Sequence, residues 1–126
     1  MSSSFHAQLI SLMGARVQFM APLARYTSFR VGGPADVFLE LNALAELHAV
    51  VAFLHTEHVP YFLLGSGTNL LVSDRGVRGV VLHLGVGFNY THGNENEDSA
   101  CVKVGAARPL GRFVREAATK QYSGVE

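Results

Sequence analysis

Apolar residues recur along this chain with two different periods, and each change of period marks an element. Phe5, Leu9, Ile10 and Met13 repeat at three- and four-residue spacing, which predicts a helix over residues 4–13 ended by Gly14. Residues 17–23 read as extended, since Pro22 rules out a helix running through them. The turn Gly32-Gly33-Pro34 opens a nearly continuous apolar strand over residues 36–41, of the kind covered on both faces. Asn42 then suits a helix N-cap and Glu46 its positive end, while Leu44, Leu47, Val50, Val51 and Leu54 form the buried stripe. That helix should end near residues 55–58, ahead of Pro60. A short buried strand over residues 61–64 completes a β-α-β unit.

The second half reads less regularly. Leu70, Leu71 and Val72 look like another strand, followed by a turn at residues 73–76 and a strand over residues 80–84. Gly85 and Gly87 interrupt the chain before Phe88 to Thr91. The polar stretch 92–99 reads as a hairpin tip, with residues 100–104 returning antiparallel to what precedes it. Pro109 suits the first position of a last helix. Leu110, Phe113, Val114, Ala117 and Ala118 form its expected buried stripe, opposite Arg112, Arg115, Glu116 and Lys120.

Between the two halves lies Leu63-Leu64-Gly65-Ser66-Gly67-Thr68-Asn69-Leu70-Leu71-Val72, a small uncharged turn between apolar runs. Gly65 and Gly67 can both take positive φ. Successive amides could then converge on an anion, with Ser66, Thr68 and Asn69 adding side-chain donors. The loop leaves the C-terminal end of the second strand of the β-α-β unit, where open α/β sheets bind ligands. The dinucleotide fingerprint G-x-G-x-x-G fails because Leu70 holds its third position, and no Gly-Lys-Ser/Thr of a P-loop follows.

Composition narrows the classes. With 126 residues, 48% hydrophobic and 16% charged, the chain forms one packed domain. Ten basic and ten acidic residues leave no field for nucleic acid or anionic lipid, so any phosphate must be held locally by loop amides. No apolar run approaches the roughly 20 residues of a membrane span. The N-terminal segment lacks a basic start, and a single cysteine permits no internal disulfide, which together read as cytoplasmic.

Other chemistry reads as structural. His48, His55 and His58 lack a completing cysteine or carboxylate for a metal site. His83 reads as a satisfied core histidine and Cys101 as a structural strand residue. Glu95, Glu97 and Asp98 at the hairpin tip read as solvated carboxylates, and Arg112, Arg115 and Lys120 as a solvated face.

Four stretches in order carry a family resemblance: Tyr26-Thr27-Ser28-Phe29-Arg30-Val31-Gly32-Gly33-Pro34-Ala35-Asp36, Leu64-Gly65-Ser66-Gly67-Thr68-Asn69-Leu70-Leu71, Arg75-Gly76-Val77-Arg78-Gly79-Val80-Val81 and Ser123-Gly124-Val125-Glu126. Together they resemble the N-terminal part of the UDP-N-acetylenolpyruvoylglucosamine reductase family. The resemblance implies an α+β FAD-binding fold of the p-cresol methylhydroxylase and vanillyl-alcohol oxidase (PCMH/VAO) type. In it a β-α-β subdomain precedes a more antiparallel one. The implied cofactor-binding residues are Gly65, Ser66, Gly67, Thr68, Asn69 and Leu70, holding the FAD pyrophosphate. Binding should be noncovalent, because the loop carries no histidine.

The family reaction moves a hydride from NADPH through the flavin to the enolpyruvyl group of a UDP-sugar, a step of peptidoglycan synthesis. Its serine proton donor and its stabilising arginine and glutamate lie after the matched region. The chain therefore reads as a truncated portion, inactive alone, with residues 1–31 a lead-in and 32–126 the incomplete FAD-binding domain. Two rivals stand beside this reading: another flavin oxidase or dehydrogenase on the same fold, and a stand-alone flavin- or nucleotide-binding module. Ala107 and Gln121 occupy positions where members of the family often carry glycine.

Overall fold

The computed structural model describes residues 2–95 and 99–125. Glu97, Asp98 and Glu126 lie outside the described residues. Helix α1 (Ser3–Met13) starts where the Ser2 hydroxyl accepts the Phe5 N–H at 3.2 Å, and ends at Gly14, whose φ is 61°. Strand β1 (Val17–Pro22) follows, then a single 3-10 turn at Leu23–Tyr26 and strand β2 (Pro34–Leu41). Helix α2 (Leu44–Thr56), β3 (Tyr61–Leu64) and β4 (Val77–Leu84) complete the first unit. A 3-10 turn at Val86–Phe88 leads to the hairpin β5 (Thr91–Glu95) and β6 (Ala100–Val104), and α3 (Leu110–Thr119) packs against it. The second unit's first strand thus begins at Thr91, after a helical turn, and not at Phe88.

The first sheet runs in the order β1-β2-β4-β3, with β1 antiparallel to β2 and the other pairs parallel. Period-2 alternation splits its two faces. Val37, Leu39, Leu41, Val80 and Leu82 meet Phe5, Leu9 and Met13 of α1 and Val50 and Leu54 of α2. Phe38, Leu64 and Val81 face the other way, where Leu23 and Val72 cover them from loops. Full burial of each such side chain contributes about 1.5–3 kcal/mol. The expectation of a two-sided central strand holds for β2.

Several expectations fail for identifiable reasons. Because β4 is inserted between β2 and β3, β3 becomes an edge strand. Its Tyr61, Phe62 and Leu63 are exposed, and Leu64 alone of the four is buried. Residues 70–72 form no strand. Val72 instead sits under the Gly32–Pro34 turn, and the next residue, Ser73, accepts the Gly33 N–H at 2.9 Å. The N-cap of α2 is Ala43, not Asn42. The cap contact comes from Glu46, whose carboxylate accepts the Asn42 N–H at 2.8 Å and the Ala43 N–H at 3.2 Å. Pro109 is likewise the N-cap of α3, one position before the expected one.

On α3, Leu110 and Ala118 are exposed while Glu116 turns inward. Glu116 pairs there with Arg108 and accepts the Thr91 hydroxyl at 3.2 Å. The small hairpin covers Ala117 and part of Phe113 and Val114 and leaves the rest of the stripe uncovered. Both α2 and α3 end with a residue at positive φ, His58 (53°) and Gln121 (58°). In each, the next N–H reaches back to the third-last helical carbonyl, Val59 to Leu54 and Tyr122 to Ala117, both at 2.9 Å.

Candidate functional site

Strand β3 delivers the glycine loop at its C-terminal end, beside the ends of β2 and β4. Leu64 lies in register with His83, and His83 with Glu40. Within the loop Gly67 alone is left-handed, at φ 63°, and a Cβ there would stand 1.9 Å from the Tyr26 carbonyl oxygen. The Ser28 N–H donates to the Gly67 carbonyl at 3.0 Å. The loop is therefore pressed backbone to backbone against residues 26–28. Gly65 does not share this role. Its φ is not positive, and a Cβ would meet only the Ala106 carbonyl at 3.7 Å. The expected pair of left-handed glycines is thus one, because the close approach to Tyr26 occurs at a single position.

Ser66, Thr68 and Asn69 are exposed. Among the described residues, neither their side chains nor the amides of residues 66–69 donate a hydrogen bond within the chain. Leu70 differs: it is half-buried and packs into the second core with Phe38 and Leu64, anchoring the end of the loop. The result is a rim of unpartnered donors on a loop held from behind, an arrangement that suits an anion.

In front of Ser66 opens a cleft of about 740 Å³, lined also by Arg25, Tyr26, Ser28, Arg30 and His83. Tyr26 stacks on Phe38 at 4.3 Å, and His83 stacks on the same ring at 5.7 Å. His83 is not the satisfied core histidine the sequence suggested. Its Nδ1 is buried without a hydrogen bond among the described residues, and the nearest carboxylate oxygen, on Glu40, is 3.5 Å away. The strand places this ring near the C-terminal end of β4, on the Phe38 face of the sheet, where it lines the cleft.

Arg25 and Arg30 escaped the reading of the sequence as candidates. The available signal was their position in and beside the Tyr26–Asp36 stretch, whose backbone braces the loop. Neither makes an ion pair or hydrogen bond through its side chain among the described residues, whereas Arg16, Arg78 and Arg108 pair with Glu46, Asp36 and Glu116.

The remaining candidates stay apart from this cleft. His48, His55 and His58 are exposed, and His58 serves as the left-handed residue that ends α2. No group of three metal-ligating side chains occurs among the described residues. Cys101 is exposed on β6, not packed as a structural strand residue would be. Arg112, Arg115 and Lys120 line an open surface on α3, as expected of a solvated face. No helix among the described residues is long and apolar enough to cross a membrane.

Residues 35–126 match the family described as FAD binding domain. The chain is 39% identical over 119 residues to the UDP-N-acetylenolpyruvoylglucosamine reductase of Syntrophus aciditrophicus, covering 94% of this chain and 38% of that one. It is 36% identical over 110 residues to the reductase of the same name from Chlamydia trachomatis serovar L2, covering 87% and 36%. The crystal structure of UDP-N-acetylenolpyruvylglucosamine reductase from Thermus caldophilus matches with a TM-score of 0.59 and 32% identity, over 86% of this chain and 35% of that one. The chain thus spans less than two fifths of the length of these relatives. Their likeness bears out the expected α+β architecture, a mixed sheet with a crossover helix followed by an antiparallel hairpin. Since the family match runs from β2 through α3 and includes the braced glycine loop, the chain belongs to the FAD binding domain family.

Proposed function

We propose that this chain is the N-terminal, FAD-holding part of a reductase that uses NADPH to convert UDP-N-acetylenolpyruvoylglucosamine to UDP-N-acetylmuramate for peptidoglycan. The observation that carries this reading is the glycine loop: exposed donors of Ser66, Thr68 and Asn69, unpartnered among the described residues, on a backbone braced by Tyr26 and Ser28. In this reading Gly65, Ser66, Gly67, Thr68, Asn69 and Leu70 hold the FAD pyrophosphate noncovalently. The amides of 66–69 and the side chains of Ser66, Thr68 and Asn69 donate, and Leu70 anchors the loop. Residues 1–31 act as a lead-in and 32–126 as the cofactor-binding part. Bound FAD would supply two-electron transfer between NADPH and the unsaturated sugar ether.

The substrate is a small UDP-sugar. The balanced charge of the chain favours neither nucleic acid nor a lipid surface as partner, and a cytoplasmic location fits a nucleotide-sugar substrate. The serine, arginine and glutamate of the reaction belong to later residues of the relatives, so the 126 residues alone hold cofactor without turning over.

The test is a titration with FAD followed by flavin fluorescence anisotropy. Wild type should bind weakly, and Ser66→Glu, which sets a negative charge against the pyrophosphate, should weaken binding by roughly tenfold or more. Identical curves for the two proteins would overturn the assignment of the loop. FAD-dependent loss of NADPH absorbance with the chain alone would overturn the division of labour.

A further inference from the structure

We propose that Arg25 and Arg30 supply the positive charge for the diphosphate whose neutral donors come from residues 66–69, making the cleft in front of Ser66 a subsite for diphosphate-bearing nucleotides. This rests on the reading of the loop given above. A diphosphate carries about two negative charges at neutral pH, and backbone dipoles alone do not neutralise them in a partly desolvated site. No lysine or arginine lies within residues 63–72. The charge must come from another segment, and the segment that braces the loop brings two arginines to the lining of the same cleft.

Three features favour a built site over two incidental surface arginines. Both side chains lack an ion pair or hydrogen bond among the described residues, as do those of Arg75 and Arg115, whereas Arg16, Arg78, Arg108 and Arg112 face carboxylates. Arg30 is held at φ 55°, a left-handed conformation that is strained for a residue with a side chain. The turn that imposes it is fastened twice: the Arg30 N–H donates to the Thr27 carbonyl at 3.2 Å, and the hydroxyl of buried Thr27 donates to the Val31 carbonyl at 3.3 Å. Both arginines also line the same open cleft as Ser66. Guanidinium groups match phosphate oxygens in pairs of parallel hydrogen bonds, so two of them can grip a diphosphate from one side while the loop grips it from the other.

The experiment titrates the 126-residue chain with ADP, inorganic pyrophosphate and, as an uncharged-ring control, riboflavin, by calorimetry at low and high salt. Variants are Arg25→Gln, Arg30→Gly (which suits the left-handed backbone), their combination, and Ser66→Glu. Unchanged circular dichroism and thermal midpoints verify folding. Each arginine removed should raise the Kd for ADP and pyrophosphate by about tenfold and flatten its salt dependence, with riboflavin unaffected. If the double variant binds ADP and pyrophosphate like wild type while Ser66→Glu does not, the charge assignment is overturned and the loop reading survives. If the double variant is impaired and Ser66→Glu is not, the arginines stand and the loop reading falls. Absence of ADP and pyrophosphate binding to the folded wild type at millimolar concentration overturns both.

Discussion

Gly65 and Gly67 differ by two positions in sequence and should differ sharply in tolerance. Alanine at 67 meets two obstacles. The left-handed backbone costs an L-residue about 1–2 kcal/mol. Its Cβ would also stand 1.9 Å from the Tyr26 carbonyl oxygen, a backbone atom with no rotamer to change. Relief requires the loop to lift off residues 26–28, which lengthens the 3.0 Å bond from the Ser28 N–H to the Gly67 carbonyl. Losing that bond adds about 0.5–1.5 kcal/mol. The sum is about 1.5–3.5 kcal/mol, a large share of the roughly 6–19 kcal/mol available to a chain of this length. For a domain of this size it should lower the thermal midpoint by roughly 5–18 °C. Alanine at 65 meets only an ordinary contact at 3.7 Å and should stay within about 0.5 kcal/mol of wild type. Thermal and urea unfolding of the two variants side by side provide the assay. Equal losses, or a larger loss for Gly65→Ala, would refute the claim that the loop is braced at one point.

Three further outcomes are expected. Gln121→Gly should raise stability by about 0.5–1 kcal/mol in urea unfolding, because Gln121 caps α3 at φ 58° where glycine carries no penalty. The backbone bond from the Asn42 N–H, and then Arg16, hold the Glu46 carboxyl below the usual carboxylate range. Its folded pKa lies below its unfolded one. Its contribution is therefore complete above about pH 5 and lost as the pH falls through the folded value. The stability gap between wild type and Glu46→Gln should then be constant from pH 5 to 7 and shrink toward pH 3 in thermal melts; a gap independent of pH would contradict the cause given. Glu116→Ala leaves Arg108, 10% exposed, without its carboxylate, and removes an acceptor from Thr91. With Glu116 itself partly exposed, the cost should be about 2 kcal/mol in urea unfolding, and a neutral result would show that Glu116 does not fasten α3 to the Arg108 loop and to Thr91 of the hairpin.

Much of the fold was legible because periodicity reports which side of an element meets a core. Phe5, Leu9 and Met13, and Val37, Phe38, Leu39 and Leu41, are buried as read, but Ile10 of the first stripe and Leu44 of the α2 stripe are exposed, because each lies at the margin of the face its helix turns to the sheet. Strand order was not legible. Tyr61-Phe62-Leu63 has the composition of a central strand, and only the later arrival of β4 between β2 and β3 consigns it to an edge. Caps misled by one position for a related reason: Glu46 reaches back over the start of α2, so Ala43 caps without a capping side chain of its own. At the site, the loop was legible from glycine and small polar residues. Its bracing was not, since Tyr26 and Ser28 meet Gly67 across 39 to 41 positions of chain, a contact that no local pattern records. Arg25 and Arg30 were hidden by the same distance.

The strand order β1-β2-β4-β3 has a consequence for how the chain acquires its shape. During synthesis β2, α2 and β3 emerge in succession, yet β2 and β3 never pair. The strand that joins them, Val77–Leu84, is made last, and both of its ladders are parallel and nonlocal. Until it inserts, β3 has no neighbour and the glycine loop no frame. Closure of the sheet should therefore be a late, slow, cooperative step, with the glycine loop among the last features to order.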